Sequence, residues 1–227
     1  MRIAVINPNA TRSMTEKIVV AARAASPLDV EIEGRTCVGA PASIQGPDDG
    51  DAALPFVLEQ VAEAEAGGAD ACIIACFDDT GLFLARRAAN IPVIGIGEAA
   101  FHVAMLLGHR FSVVTTLSIS VPVIEANIVA YGLESHCARV RASEVPVLDL
   151  EKPGSDARIK VSDEVARALV EDNAGAIVLG CAGMADLAAD LAKQHGAPVI
   201  DGVAAACGMA AALVRLGPGV RPRRRAP

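Results

Sequence analysis

The chain has 227 residues, of which 52% are apolar and 3% aromatic, and its formal net charge is −7. A chain of this length buries a sizeable core, and this composition predicts a core of Ala, Val, Ile and Leu between sheet and helices. The negative charge argues against nucleic acid as the main partner, although a basic run occurs at 221–225.

Strand and helix patterns alternate through the first half of the chain. Short apolar runs predict buried strands, and longer amphipathic runs predict helices. The predicted strands are 2–6, 30–36, an apolar run ending at Cys76, and 92–96, and the predicted helices are 11–25, 52–66, 81–89 and 98–108. Loops on a rigid scaffold often carry specificity, so we expect Ser43, Ile44 and Gln45, in the irregular segment 39–51, to line a substrate side-chain pocket.

The same alternation continues in the second half. The predicted strands are 110–115, 138–142, an apolar run ending at Cys181, and 198–201, and the predicted helices are 118–131, 156–172, 184–195 and 203–216. Alternating strands and helices are typical of an α/β fold with mainly parallel sheets. The remaining segment, 217–227, is rich in Pro, Gly and Arg, and we predict that it is a disordered basic tail.

Three matched segments indicate an internal duplication. RIAVINPNAT begins at residue 2 and RFSVVTTLSI at 110, PVIG begins at 92 and PVID at 198, and the two strand-end cysteines stand at 76 and 181. This nearly constant spacing predicts two pseudo-symmetric α/β domains, each with an open sheet flanked by helices. We assign 1–97 to the first domain, completed by helix 203–216, and 98–202 to the second, with the active site in the cleft between them.

The six cysteines are expected to be thiols. No secretory signal precedes the first strand, and no apolar run reaches the roughly 18 residues of a membrane helix, so we expect a cytoplasmic protein without a membrane partner. Disulfides are rare in that compartment. The four histidines are scattered, and no Cys-x-x-Cys or His-x-x-x-His spacing is present, so we expect no zinc site.

Cys76 and Cys181 are the candidate catalytic residues, whereas the other four cysteines are predicted to be small core residues. Each of the two ends a strand just before a helix, and ligands of open parallel sheets bind at that edge. Two thiols facing one cleft can remove a proton from one side of a carbon and return it to the other. The usual thiol pKa of about 8.5 suits this task, and a helix N-terminus lowers it further. Such chemistry requires no metal, flavin or pyridoxal cofactor.

The residues that follow each cysteine are predicted to bind the substrate. Backbone N–H groups after Cys76 and Cys181 can stabilise an enolate, and small residues after Cys181 allow close approach. The candidates in these two segments are Phe77, Asp78, Asp79, Ala182, Gly183 and Met184. We expect one of the two aspartates to cap a helix and the other to act in the site, and the sequence does not distinguish them.

Polar residues at two further strand ends are candidates for the same site. Asn7 follows the first strand and is predicted either to bond a substrate or to bond the backbone of its own turn. The duplication places Thr115 and Thr116 at the equivalent position of the second half. Their hydroxyls are predicted either to bond a substrate oxygen or to cap the next helix.

The segment GIGEAA at 95–100 matches G-x-G-x-x-A, a pattern found in dinucleotide-binding folds. We reject that interpretation because the preceding strand is a late one, and because no acidic residue follows about 20 positions later. The repeat partner of this segment, from Asp201, also lacks the glycines.

Six motifs carry a resemblance to the hydantoin racemases of the cofactor-independent aspartate/glutamate racemase superfamily. They are INPNAT at 6–11, GAPASIQG at 39–46, ACFDDTGL at 75–82, PVIGIGEAA at 92–100, FSVVTTLS at 111–118 and LGCAGM at 179–184. The resemblance covers the chain up to about residue 215. It implies a homo-oligomeric racemase of 5-monosubstituted hydantoins without a cofactor, in which Cys76 and Cys181 are the two acid/base residues.

Other activities remain open at this stage. Allantoin racemases resemble the chain with the same cysteine pair, so allantoin is the alternative substrate. Amino-acid racemases match less well, because Phe77-Asp78 and Ala182-Gly183 replace their residues after the cysteines, and neither motif contains a Lys or Arg to meet a carboxylate. A decarboxylase, a cis–trans isomerase or a non-catalytic binding module is less favoured.

Overall fold

A computed structural model describes residues 1–107 and 110–217 as two four-stranded sheets with flanking helices. The strands are β1 Arg2–Asn7, β2 Glu31–Thr36, β3 Ala71–Ile74, β4 Val93–Gly95, β5 Phe111–Thr115, β6 Cys137–Ala142, β7 Ala176–Gly180 and β8 Val199–Asp201. The helices are α1 Arg12–Ala25, α2 Pro47–Ala66, α3 Leu82–Ala88, α4 Ile96–Leu106, α5 Val121–Ala130, α6 Ala157–Glu171, α7 Ala188–His195 and α8 Gly202–Arg215.

The two sheets have the same topology. Their strand orders are β2-β1-β3-β4 and β6-β5-β7-β8, and every pairing is parallel. The predicted α/β class and the pseudo-symmetry are therefore confirmed. Because all strands of a sheet run the same way, the ends of β1 and β3 lie at one edge, as do those of β5 and β7. This arrangement brings the segments after four strands together.

Burial explains which sequences form the central strands. β3 and β7 are buried along their whole length and consist of small and branched apolar residues, as expected for strands covered on both faces. β2 and β6 lie at sheet edges and carry charged residues such as Glu33 and Arg139. Charges at an edge strand discourage pairing with another chain.

A continuous apolar core connects the two sheets. It contains Ile73 of β3 and Val178 of β7, and the rings of Phe77 and Phe111 both pack on Phe101 of α4, at centroid distances of 5.4 and 5.6 Å. Helix α8 packs against α4, α1 and β3. The proposed domain limits, 1–97 with 203–216 and 98–202, remain a prediction.

Four helices begin two or more residues away from the sequence prediction, and one of them is α5, which begins at Val121 rather than 118, after a 3-10 turn over Ser118–Ser120. α2 begins at Pro47, because Gly46 at φ +105° turns the chain, proline suits the first helical position, and Asp48 and Asp49 favour the helix N-terminus. α4 begins at Ile96 rather than 98. The helix expected from 184 is a 3-10 turn over Ala182–Leu187 followed by α7.

Parts of two predicted elements lie outside the described residues: position 108 of the fourth helix and the basic tail from 218 onward. Within residues 1–107 and 110–217, no helix is long and apolar enough to cross a membrane.

Candidate active site

A small cavity, here called the central cavity, lies where the ends of the two sheets meet. Cys76 follows β3 and Cys181 follows β7, and both side chains line this space of about 30 Å³. Its other lining residues are Asn9, Met14, Ile44, Ala75, Phe77, Asp78, Thr115, Thr116, Ser120, Val147, Gly180 and Ala182. A volume of this size holds little more than a water molecule, so a ring-sized substrate requires the loops around it to move apart.

The two cysteines have equivalent backbone surroundings. The backbone N–H of Asp78 acts to lower the pKa of the Cys76 thiol, and the backbone N–H of Gly183 acts in the same way on Cys181. In both loops the donor is therefore the second residue after the cysteine. Such donors favour the thiolate form, as an oxyanion-binding loop would.

Burial nevertheless raises the pKa of both thiols. The sulfur of Cys76 loses solvation, and the nearby Asp78 carboxyl raises its pKa further. Burial raises the pKa of Cys181 to about 11, against the effect of the Gly183 N–H. Each cysteine exposes part of its surface to the cavity, but dense protein surrounds the pair. The expectation that helix N-termini lower these pKa values is therefore wrong. The helix after Cys76 starts only at Leu82, too far away to compensate.

Asp79 is the helix-capping aspartate. Its carboxylate accepts hydrogen bonds from the backbone N–H groups of Gly97, at 3.0 Å, and Glu98, at 2.7 Å, and from the Tyr131 hydroxyl at 2.7 Å. It therefore caps α4, the second helix after it in the chain. Burial raises its pKa to about 7, and the three donors oppose that rise.

Asp78 faces the central cavity. Burial raises the pKa of its carboxyl to about 7, and its backbone carbonyl accepts a hydrogen bond of 2.9 Å from the Asn127 amide. The pair therefore divides into one capping residue and one residue at the cavity.

The glycines at 95 and 97 fit closely around Asp79. A Cβ at Gly95 would lie 2.1 Å from Asp79 Oδ1, and one at Gly97 would lie 2.5 Å from the carbonyl oxygen of Phe77. Close packing against the loop after Cys76 thus accounts for both glycines in the segment that resembles a nucleotide motif.

The loop after Cys181 is held by a lysine from α1. Lys17 Nζ donates to the carbonyl oxygen of Gly183 at 2.8 Å and pairs with Asp186 at 3.1 Å and Glu151 at 3.4 Å. Thr115 Oγ1 donates to the carbonyl of Gly180, at 2.8 Å, and so supports the end of β7.

Half of the predicted substrate-binding residues line the central cavity: Ile44, Phe77, Asp78, Thr115, Thr116 and Ala182. Ser43, Gln45, Asp79, Gly183 and Met184 do not line it, and neither does Asn7. Asn7 Nδ2 donates to Asn9 Oδ1, Thr15 Oγ1 and the Thr11 carbonyl, so it supports its own turn. Gln45 Oε1 accepts a hydrogen bond from the backbone N–H of Val147. The side chains of Ser43 and Met184 are buried. The carbonyl oxygen of Gly183 accepts a hydrogen bond from Lys17.

Six lining residues were not predicted from the sequence: Asn9, Met14, Ala75, Ser120, Val147 and Gly180. Asn9 belongs to the Asn-Pro-Asn turn in which only Asn7 was chosen, and Ser120 follows the selected Thr-Thr pair closely. Met14 and Val147 carry no sequence signal, because only the fold brings them to the cavity.

The remaining cysteines and the charged groups give no sign of a metal centre. All six cysteines are free; Cys37, Cys72 and Cys207 are buried, and Cys137 is half-buried on β6. Over the ranges 1–107 and 110–217, no three His, Cys, Asp or Glu side chains come together as metal ligands would.

Comparison with known proteins gives the family. The model of the Asp/Glu/Hydantoin racemase family matches residues 3–210. A hydantoin racemase of Rhizobium meliloti is 47% identical over 96% of this chain and 90% of its own length, and one from Pseudomonas sp. (strain NS671) is 41% identical over 96% and 87%.

A solved structure agrees with the sequence relatives. The allantoin racemase from Klebsiella pneumoniae superimposes with a TM-score of 0.94 and 44% identity, covering 98% of this chain and 90% of that one. The chain therefore belongs to the Asp/Glu/Hydantoin racemase family, and it is an isomerase that acts as a racemase.

Proposed function

We propose that the protein racemises 5-monosubstituted hydantoins, with Cys76 and Cys181 as the two acid/base groups. The observation that carries the proposal is that both cysteines line one cavity, each just after the end of an equivalent strand. The similarity to curated hydantoin racemases supports this substrate class.

The reaction moves one proton off C5 and another onto its opposite face. The thiolate of one cysteine takes the C5 proton, so a C–H bond breaks and an S–H bond forms, and the electron pair enters the ring as an enolate. The thiol of the other cysteine then protonates C5, which leaves that cysteine as the thiolate. The opposite enantiomer reacts with the two roles exchanged.

Burial raises the pKa of both thiols, and the nearby Asp78 carboxyl raises both further. Since the neutral pair dominates at neutral pH, we expect racemisation to become faster as the pH rises from 7 to 10.

The lining of the central cavity favours a neutral ring. No Lys or Arg is among its described lining residues, so a free amino acid would bring a carboxylate without a cationic partner. The hydroxyls of Thr115 and Thr116 and the Asp78 carboxyl can instead bond the carbonyl and N–H groups of a cyclic ureide.

Allantoin is the second candidate substrate. It contains the same ring with a ureido group at C5, and the likeness to the allantoin racemase of Klebsiella pneumoniae favours it. For either substrate we propose a cytoplasmic homo-oligomer that binds a small cyclic ureide, and light scattering on the purified protein measures the subunit number.

Solvent exchange tests the two-cysteine proposal. An enantiopure 5-substituted hydantoin incubated with the enzyme in deuterated water is expected to racemise and to gain deuterium at C5. Both Cys76→Ser and Cys181→Ser are expected to lower the rate of racemisation by at least about 10²-fold. Cys137→Ser is the matched control, because that thiol is also partly exposed but lies away from the central cavity. Racemisation near the wild-type rate in either of the first two variants contradicts the mechanism.

A further inference from the structure

A larger pocket, here called the outer pocket, adjoins the central cavity. It has a volume of about 350 Å³ and lies between the start of α2, the loop after Cys76 with α3, and α5. Asp78 lines both spaces. The central cavity is too small for more than the reacting atoms, so a group attached to the reacting carbon has its nearest room in the outer pocket.

The wall of the outer pocket is apolar over much of its surface, and Asp51, Asp78, Asp79, Thr80 and Asn127 also line it. Leu54, Leu82, Phe83 and Val123 contribute side chains to it. Phe83 is 51% exposed, and a half-exposed ring beside a pocket of this size is typical of a ligand-binding surface.

The Thr80 hydroxyl lies at the inner end of the outer pocket. Thr80 is 7% exposed, and its hydroxyl approaches the Cys76 thiol and acts to lower the pKa of that thiol. Thr80 therefore connects the outer pocket with one of the two cysteines.

The second half has an equivalent pocket with different chemistry. It has a volume of about 220 Å³ and lies beside the loop after Cys181, with Leu187 six residues after Cys181 as Leu82 is after Cys76. Five charged side chains line it, each in an ion pair: Lys17, Glu151, Lys152, Arg158 and Asp186. An apolar group placed there would remove water from these ion pairs, which is unfavourable.

We propose that the outer pocket binds the C5 substituent and selects hydantoins with bulky apolar substituents over allantoin. This inference rests on the proposed function and adds the substrate side chain to it. Of the two equivalent pockets beside the cysteine pair, the one in the first half suits such a group and the charged one in the second half does not. Asp51 and Asn127 also line the outer pocket and can bond a ureido group, so the selectivity depends on the contacts that the leucine and phenylalanine side chains make with an apolar substituent.

A substrate series measures this preference. Enantiopure 5-methylhydantoin, 5-isobutylhydantoin, 5-benzylhydantoin and allantoin are compared by the decay of their circular dichroism. Burial of a leucine- or phenylalanine-sized group predicts that kcat/KM for the isobutyl and benzyl compounds exceeds that for the methyl compound by about 10- to 100-fold. Allantoin is expected to react more slowly than the benzyl compound.

Two variants change the outer pocket itself. Leu54→Asn replaces an apolar wall with a polar one of similar size, and is expected to lower the benzyl-to-methyl ratio of kcat/KM about tenfold. Gly50→Phe adds a ring at a position where a Cβ meets no atom within 4 Å, and is expected to lower that ratio at least as much.

Each variant has a matched control outside the outer pocket. Leu106→Asn changes a leucine of α4 that is 73% exposed, and Gly208→Phe changes a glycine of α8 where a Cβ also meets no atom within 4 Å. Both controls are expected to keep the wild-type ratio. Equal kcat/KM for all four substrates, or a ratio that Leu54→Asn and Gly50→Phe leave unchanged, overturns the inference while the racemase proposal stands.

A binding measurement separates the two proposals. Calorimetry with the Cys76→Ser variant is expected to show tighter binding of 5-benzylhydantoin than of 5-methylhydantoin, and Gly50→Phe in that background is expected to remove the difference. If the wild-type enzyme racemises none of the four compounds, the proposed function fails. The calorimetric preference then still supports the outer pocket, and its absence overturns it.

Discussion

The loops after Cys76 and Cys181 occupy equivalent places but are held in different ways. Neutral donors from the region of α5 hold the first: Tyr131 bonds Asp79, and Asn127 bonds the carbonyl of Asp78. A charged side chain from α1 holds the second, since Lys17 bonds the carbonyl of Gly183 within a cluster of ion pairs.

In both cases the supporting side chain comes from the half that carries the other sheet. The relative position of the two sulfurs therefore depends on contacts that cross between the halves. The comparison teaches that a symmetric reaction requires equivalent reacting groups, whereas their supports and neighbouring pockets can differ. The two cysteines should respond equivalently to substitution, whereas the supports of the two loops should not.

Replacing Cys76 or Cys181 with serine should give two variants that act on opposite enantiomers of the substrate. Racemisation is expected to fall by about 10²- to 10⁴-fold in both variants, because each loses one proton-transfer group. The remaining cysteine still faces one side of C5. Cys76→Ser and Cys181→Ser should therefore each exchange the C5 proton of one enantiomer, and of different ones, as NMR in deuterated water measures. Exchange of the same enantiomer in both variants would show that the cysteines do not face opposite sides.

Loss of the Asp79 carboxylate should destabilise the first loop. Asp79→Ala leaves two N–H groups at the start of α4 and the Tyr131 hydroxyl without their acceptor, at an expected cost of about 2–4 kcal/mol in the free energy of unfolding. Tyr131→Phe removes one of the three bonds and should cost about 1 kcal/mol. Urea unfolding measures both. Asp163→Ala, at an exposed position of α6, is the control, and equal effects at 79 and 163 would contradict the capping role.

The lysine support of the second loop should be weaker and sensitive to salt. Lys17→Met keeps the aliphatic stem but removes the bond to Gly183 and the ion pairs, and should cost about 1–2 kcal/mol because the side chain is only partly buried. The difference from wild type should shrink in 1 M salt. Asn127→Ala, which removes a neutral donor from the first loop, should show no such salt dependence. A salt-independent effect at Lys17 would contradict the ionic support.

The smallest effect is expected at Asp78. Its carboxylate raises the pKa of the Cys76 and Cys181 thiols, so Asp78→Asn should lower both pKa values and speed the alkylation of both thiols by iodoacetamide about threefold. The pKa of Asp78 is raised to about 7. Wild-type Asp78 is therefore charged above pH 7 and neutral below it, so the effect should appear above pH 7 and vanish near pH 5. Mass spectrometry resolves each cysteine, with Cys137 as the reference, and equal rates at pH 9 would contradict the electrostatic role.

Periodicity and repeat spacing were sufficient to predict the fold class. The strand ends at Cys76 and Cys181 were visible because buried runs of Ile, Val and Ala stop at a polar or small residue. The topology follows from the duplication, since both sheets use the same strand order.

Long-range hydrogen bonds reveal the roles of several polar residues that the sequence alone did not distinguish. Asn7 and Asn9 are chemically identical, and only the bonds from Asn7 to Thr11 and Thr15 show that it supports the turn while Asn9 lines the central cavity. Asp79 caps a helix that begins 17 residues later, so neighbouring residues gave no sign of its role. The thiol pKa values depend on burial, which short segments do not reveal.

The position of α8 has a consequence for how the protein is made. The last described helix packs on α1 and β3, which are translated first, and on α4. A growing chain therefore lacks part of the shell around its first sheet until residue 215 has left the ribosome. We expect nascent chains shorter than this to stay sensitive to protease, and the released polypeptide to melt in a single cooperative step.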